Sequence, residues 1–357
     1  MLKLLLVSPK TEKSNGGIAV WTDTFLKNLP DSLDCDLLNI ATVGKRAENG
    51  NAKRSMLDEF VRTRRIFRDL RAFLKSKKYD VAHINTSCGA FGLIRDYLTA
   101  RKIKRKQKTC KVIVHFHCDI QTQCNSRISL VFLKKILALA DEALVLNRKN
   151  HLYLSNEFNV KNRALPNFID GSMLITSPKI IKERIQNAVF VGYVQPPKGI
   201  REIYDLAEIL SEIHFSLIGE VSQEVLDWNK PENVELSGSK PHHEILDSLD
   251  NADVFIFPSH SEGFSIALLE SMSRGVPCVA TDVGANREML EDKGGIIVEV
   301  GDVNAMKSAF DRMSSPDVRK EMSDWLIDKV TCNYTVESVF KKLLNIYNTN
   351  IKKEEHK

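Results

Sequence analysis

The feature that most constrains this chain is a rhythm: apolar runs of strand length alternate with longer amphipathic stretches along nearly all of its 357 residues. Parallel strands joined by helical crossovers produce that pattern, because each strand is buried on both faces and each helix covers the sheet with one. The class is therefore α/β. In the first half the runs are LKLLLV, CDLLNI, YDVAHIN, KVIVHFH and EALVLN, with helices expected to begin near Ile18, Ser55, Ala90, Arg127 and Arg148. The rhythm pauses at PNFIDGSMLITSPK, whose two prolines, glycine and turn-forming polar residues mark a linker. A second series follows: NAVFVGYV, HFSLIGE, NVELSG, DVFIFPS, PCVATDV and GGIIVEV. Two Rossmann-like doubly wound domains are expected, spanning 1–170 and 171–334. Such domains bind ligands where loops leave the carboxyl ends of the strands, so two of them would face each other across a cleft.

Several function classes are excluded at once. Hydrophobic residues at 43% and charged residues at 27% describe an ordinary packed protein, not a disordered chain. The opening run in MLKLLLVSP is too short for a secretory signal, and SLVFLKKILALA is split by Lys134 and Lys135, so no spanning helix is expected. The seven cysteines are odd in number, scattered and without a Cys-x-x-Cys pair. A disulfide framework is not expected, and a cytoplasmic setting is.

The net charge of +5 conceals an asymmetry: residues 1–170 hold 31 Lys+Arg against 16 Asp+Glu, whereas the remainder holds 20 against 30. The positive charge gathers in RTRRIFRDLRAFLKSKK, from Arg62, and in RKIKRKQK, from Arg101. Nucleic acid would satisfy the charge, but zinc-finger and RNP signatures are missing. Solvated helix faces are the plain alternative. The first segment interleaves its cations with Ile66, Phe67, Leu70, Phe73 and Leu74, which favours a basic amphipathic helix lying on an anionic membrane, peripheral on its inner face.

Three places carry chemistry. Gly16 and Gly17 precede the first helix, where a glycine pair lets backbone N–H groups approach a phosphate or simply makes a tight turn. In PSHSEGFSIALLESMSRGVP, Glu262 and Glu270 stand eight positions apart around Gly263. Eight helical residues rise about 12 Å, enough to put a carboxylate at each end of an elongated ligand. Carboxylates accept hydrogen bonds from vicinal hydroxyls of a ribose or a hexose, and the helix start between them suits a diphosphate. In KVIVHFHCDI, His115 and His117 share a side of a strand, with His117 at its carboxyl end. Together with Cys124 these lack the spacing of a zinc site, so no metal is expected.

The block from DVFIFPSHSEGFSIALLESMSRGVPCVATDVGANREML through GGIIVEVGD resembles the donor site of retaining glycosyltransferase family 4, enzymes of GT-B architecture with two Rossmann-like domains. VGYVQPPKG is similar to that family's V-G-R-x4-K-G, LPNFID to its P-N-x-x-D junction, and Gly16-Gly17 to its Gly-Gly loop. The resemblance implies a nucleoside diphosphate sugar as donor substrate, no cofactor, and a final helix in 335–357 that crosses back to the first domain. It implies that Glu262 contacts the donor hexose, that Phe264, Ser265 and Ile266 lie along the sugar and diphosphate, and that Glu270 grips the ribose. Lys198 would bind the diphosphate and His117 would lie near the reacting sugar. Tyr193 stands where the family has an arginine. A lost charge-assisted hydrogen bond costs about 1.5–3 kcal/mol, and Arg201 is the expected stand-in. The implied activity is hexosyl transfer with retention to an acceptor hydroxyl, with a lipid-linked saccharide of bacterial surface polysaccharide synthesis as the preferred acceptor. A nucleotide-sugar epimerase and a catalytically silent nucleotide-sugar-binding protein are the alternatives.

Overall fold

The computed structural model of the chain describes residues 1–10, 16–41 and 56–349. It divides into two compact units, Met1–Pro166 together with the chain from Phe340 onward, and Asn167–Val339. The first is built on the strands β1 (Leu2–Ser8), β2 (Leu33–Asn39), β3 (Val81–Thr86), β4 (Lys111–Phe116), β5 (Glu142–Val145) and β6 (Asn162–Ala164), in the order β2-β1-β3-β4-β5-β6. The second holds β7 (Asn187–Val191), β8 (His214–Ile218), β9 (Val234–Gly238), β10 (Val254–Phe257), β11 (Cys278–Thr281) and β12 (Gly295–Val298), ordered β12-β11-β10-β7-β8-β9. All pairings within both sheets are parallel.

The expected strands all form, because their apolar runs are covered on both faces: β3, β4, β5, β10 and β11 are buried at every position. Each buried Val, Leu, Ile or Phe contributes about 1.5–3 kcal/mol relative to exposure. Helices supply the cover through one face. Helix Ile200–Ile209, for instance, buries Ile200, Ile203, Tyr204, Leu206 and Ala207 at helical spacing. β6 was not expected; three residues of mixed polarity carry too little periodicity to be read as a strand.

The junction falls slightly earlier than 170 and later than 334, and local bonds explain both shifts. Asn167 Nδ2 donates to the carbonyl of Phe264, and Ile169 pairs with Thr335, so both segments are tied into the second unit. The final helix, Val336–Asn348, then supplies its later residues to the first unit. Lys111 Nζ donates to the carbonyls of Ile346 at 2.6 Å and Thr349 at 3.1 Å, satisfying acceptors that a helix end leaves open. Residues 350–357 of that expected segment, and residues 11–15 ahead of Gly16, lie outside the described ones.

Candidate functional site

In the second sheet β7 and β10 are neighbours; β8 and β9 extend one way and β11 and β12 the other. Strand order reverses there, which opens a crevice at the carboxyl ends. The loops leaving β7, β10 and β11 interlock over it. The backbone N–H of His260 donates to the Pro197 carbonyl at 3.0 Å, and Thr281 Oγ1 donates to the Ser259 carbonyl at 2.5 Å. Lys198 Nζ pairs with Glu262 Oε1 at 2.5 Å, both side chains largely buried. Gly284, at φ +55°, packs so closely beneath this loop that a Cβ there would lie 2.4 Å from the Glu262 carbonyl oxygen.

Helix Ile266–Ser273 starts at this crevice. Its cap is Ser265, whose Oγ accepts from the Leu268 N–H, and Phe264 is buried with its ring edge-on to Tyr334. Their side chains are thus committed to structure, leaving the backbone of the helix start as the group that could meet an anion. Glu262 precedes the helix by four residues, so the eight-residue helical span expected between the two glutamates is half loop. Glu270 lies in the second turn, only 7% exposed, with His242 Nε2 at 3.0 Å from its Oε1. That carboxylate holds the His242 imidazole above its ordinary pKa.

Beside the crevice, three strands in a row end on backbone without side chains. The Gly192 N–H donates to the Ile218 carbonyl, and the Gly219 N–H to the Gly238 carbonyl. Gly219, at φ +147°, has no room for a Cβ, which would sit 1.8 Å from the Gly192 oxygen. The result is a flat ledge along the ends of β7, β8 and β9.

Two features differ from the sequence reading. Arg201 is exposed and its guanidinium carbon lies 3.9 Å from the ring centroid of Trp228, so the expected stand-in for the missing arginine is engaged with an indole. His260, not singled out from sequence, bonds Glu202 Oε1 through Nε2 at 2.6 Å, bracing the helix that begins after Lys198. No spacing signal marked either His242 or His260; their partners, Glu270 and Glu202, come from helices elsewhere in the sequence.

In the first unit, strand order reverses between β1 and β3, and helix Gly17–Lys27 starts there with Gly16 as its cap. Gly16 is at φ −78°, so no left-handed backbone demands a glycine at that cap. Around it runs a hydrogen-bonded chain: Thr22 Oγ1 to Ser8 Oγ at 2.6 Å, Asn85 Nδ2 donating to Ser8 Oγ at 2.8 Å, and Asn85 Oδ1 to His117 Nε2 at 3.0 Å. Since Nδ2 of Asn85 is the donor to Ser8, Oδ1 faces His117 and the proton of the imidazole resides on Nε2, leaving Nδ1 as an acceptor. The His115 and His117 rings are 4.0 Å apart, and both contact Trp21. His83 bonds the Tyr347 hydroxyl at 2.6 Å. Burial pushes His83 and His117 down to about 3, and His115 well below its usual range, so all three are neutral at pH 7. Asn85 and Ser8 were invisible in the sequence, where they read as strand residues.

Cys88 and Cys118 form a disulfide in the structure, with Cα atoms 6.3 Å apart, where the scattered cysteines pointed to none. The residues lie directly after β3 and β4, adjacent strands whose ends the sequence spacing does not reveal.

The basic segments form parts of helices Met56–Ser76 and Ala90–Lys106. The expected apolar face of the first does not lie open for lipid: Ile66 and Leu70 are fully buried in the core, and Phe67, Phe73 and Leu74 pack against it. The surface instead offers a groove where Arg71, Lys75, Arg101, Lys102, Arg105 and Lys106 surround Phe67 and Leu74, with Phe60 and Val61 more than 60% exposed nearby. Burial and the neighbouring cations Arg71 and Lys106 lower the Lys102 pKa. Among the described residues, no helix is long and apolar enough to cross a membrane.

Residues 177–325 match the family described as glycosyl transferases group 1. The chain is 24% identical over 94% of its length to an uncharacterized 41.2 kDa protein in the cps region of Klebsiella pneumoniae, covering 96% of that protein. It is also 24% identical, over 77% of its length and 76% of the relative, to UDP-Gal:alpha-D-GlcNAc-diphosphoundecaprenol alpha-1,3-galactosyltransferase of Escherichia coli. Among solved structures, sucrose-phosphate synthase of Thermosynechococcus elongatus superposes with a TM-score of 0.78 at 16% identity, over 97% of this chain and 98% of that one. The fold is that of GT-B glycosyltransferases, and the family match and relatives support glycosyl transfer as the activity.

Proposed function

We propose that the protein is a retaining glycosyltransferase of the family 4, Glu-x7-Glu type, moving a hexose from a nucleoside diphosphate sugar to an acceptor hydroxyl. One observation carries the reading: Lys198, Glu262 and a helix start converge at the β7/β10 reversal, with Glu270 one turn further along. In this reading Lys198 and the backbone of Gly263, Phe264, Ser265 and Ile266 hold the diphosphate, where positive ends stabilise the charge that grows as the leaving group departs. Glu262 accepts from the hexose hydroxyls and Glu270 from the ribose, while the nucleoside lies along the glycine ledge. Lys198 Nζ donates to Glu262 Oε1 at 2.5 Å, so the two groups assigned to the phosphate and the hexose stand side by side. No divalent ion is required, because the ammonium and the helix start face the phosphates.

Retention is consistent with attack on the same face as the departing diphosphate, which itself helps remove the acceptor proton, so the protein contributes orientation and charge stabilisation. His117 is neutral with its Nδ1 lone pair open, suited to orient a hydroxyl, and Gly16-Gly17 presents a helix start near the same strand ends. The acceptor we favour is a lipid-linked saccharide in surface polysaccharide synthesis, as the activity in the name of the E. coli relative suggests. The cationic groove would then rest on anionic lipid, peripheral on the cytoplasmic face.

Incubation with a panel of nucleotide sugars and a polyprenyl diphosphate saccharide, with product masses recorded, tests the proposal. A hexose added to the acceptor is expected. Isomerised donor without acceptor would instead identify an epimerase, and tight donor binding without turnover a silent binding protein.

A further inference from the structure

His242 opens helix His242–Asn251, which follows β9, and Glu270 lies in the helix that follows β10. β7 and β8 separate those strands in the sheet, yet two side-chain pairs link the segments that follow them. They are joined near their starts by His242 Nε2 and Glu270 Oε1 at 3.0 Å, and near their ends by Arg274 Nε and Asp250 Oδ1 at 2.5 Å. The lower tie is an ordinary ion pair. The upper one is not symmetric, because the imidazole is about half exposed while the carboxylate side chain is 9% exposed. A carboxylate accepts about four hydrogen bonds, and His242 uses one lone pair. A nearly buried carboxylate is costly unless its remaining positions are filled. Groups that donate two adjacent hydrogen bonds would fill them, and a vicinal diol does so.

We propose that His242 is a specificity-determining positioning residue: by holding one oxygen of Glu270 it aims the remaining lone pairs at a cis diol, so that the pocket prefers ribonucleotides to deoxyribonucleotides. This inference rests on the donor-site reading above and names the group that Glu270 selects. The charged group that faces His242 is Glu270, whose carboxylate accepts from its imidazole.

The test is calorimetric titration of the full-length protein with UDP, GDP and ADP, with the 2′-deoxy form of whichever binds best, and with pyrophosphate. Wild type should bind the ribonucleotide about tenfold more tightly than the 2′-deoxy form, as expected for one hydrogen bond to a charged group. His242→Ala should lower ribonucleotide affinity about tenfold and abolish the preference, leaving pyrophosphate binding unchanged. His242→Gln, whose amide can donate to the same oxygen, should recover most of the preference. If His242→Ala also loses pyrophosphate binding, the milder His242→Asn decides, with the same loss of preference expected. Undiminished ribose preference in the variant that retains pyrophosphate binding would overturn the inference while leaving the donor site standing. Failure of wild type to bind any of the three nucleotides would overturn both.

Discussion

Replacing Gly284 by alanine perturbs the site without altering any group proposed to meet a ligand. The new Cβ would lie 2.4 Å from the Glu262 carbonyl oxygen and 2.7 Å from that of Gly263, so the loop must retreat by about 0.6 Å merely to reach the closest separation that real Cβ atoms show. Forcing an L side chain to φ +55° adds about 1–2 kcal/mol, and overpacking adds about 1–3 kcal/mol. The sum, about 2–5 kcal/mol, should lower Tm by roughly 5–15 °C for a unit of this size. Because Glu262 shifts with its backbone, transfer should slow by about tenfold or more; a displacement of about 1 Å can cost about a hundredfold. Gly301→Ala is the control: φ is +82° and no atom lies within 4 Å of its Cβ, so it should lose about 1–2 kcal/mol with unchanged rate. Scanning calorimetry and initial rates on both variants are the assay. A Gly284→Ala enzyme as fast as Gly301→Ala would refute the claim that this loop places a working carboxylate.

Three further outcomes are expected. The first unit should lose stability on acidification: His83 has a folded pKa near 3 against about 6.5 unfolded, so the unfolded chain takes the proton first, and stability present above about pH 6.5 falls as pH drops toward 3. For His83 alone this amounts to about 2 kcal/mol between pH 7 and pH 5, visible as a lower urea midpoint, and a midpoint that does not move would exclude it. His117→Ala should reduce kcat for transfer by about 10- to 100-fold while leaving nucleoside diphosphate affinity intact; equal loss in both would place His117 at the donor instead. Reversing Arg101 and Arg105 to glutamate should abolish co-sedimentation with vesicles containing phosphatidylglycerol at low salt, and binding that persists in the variant would remove the groove as a lipid contact.

The sheet rhythm made both units legible in the sequence, since buried parallel strands announce themselves as uninterrupted apolar runs. Glu262, Glu270 and Lys198 were legible because one compact block and one short motif hold them. Relations between distant connections were not. Nothing in the spacing says that His242 reaches Glu270 or that His260 reaches Glu202, because sheet order decides which connections meet. The helix from Met56 misled for a related reason: a basic amphipathic pattern is the same whether its apolar face meets lipid or core, and Ile66 and Leu70 show that here it meets core. Arg201 lay at the right spacing from Lys198, but a solvent-exposed guanidinium takes the nearest flat partner, and Trp228 supplies one.

The central claim is that Glu262 and Glu270 hold opposite ends of one nucleotide sugar. It is tested most directly by measuring the affinities of a nucleotide sugar and of its nucleoside diphosphate for Glu262→Gln and Glu270→Gln. Glu262→Gln should weaken the nucleotide sugar about tenfold and leave the nucleoside diphosphate unchanged, whereas Glu270→Gln should weaken both alike. Wild-type affinities for both ligands in both variants would contradict it.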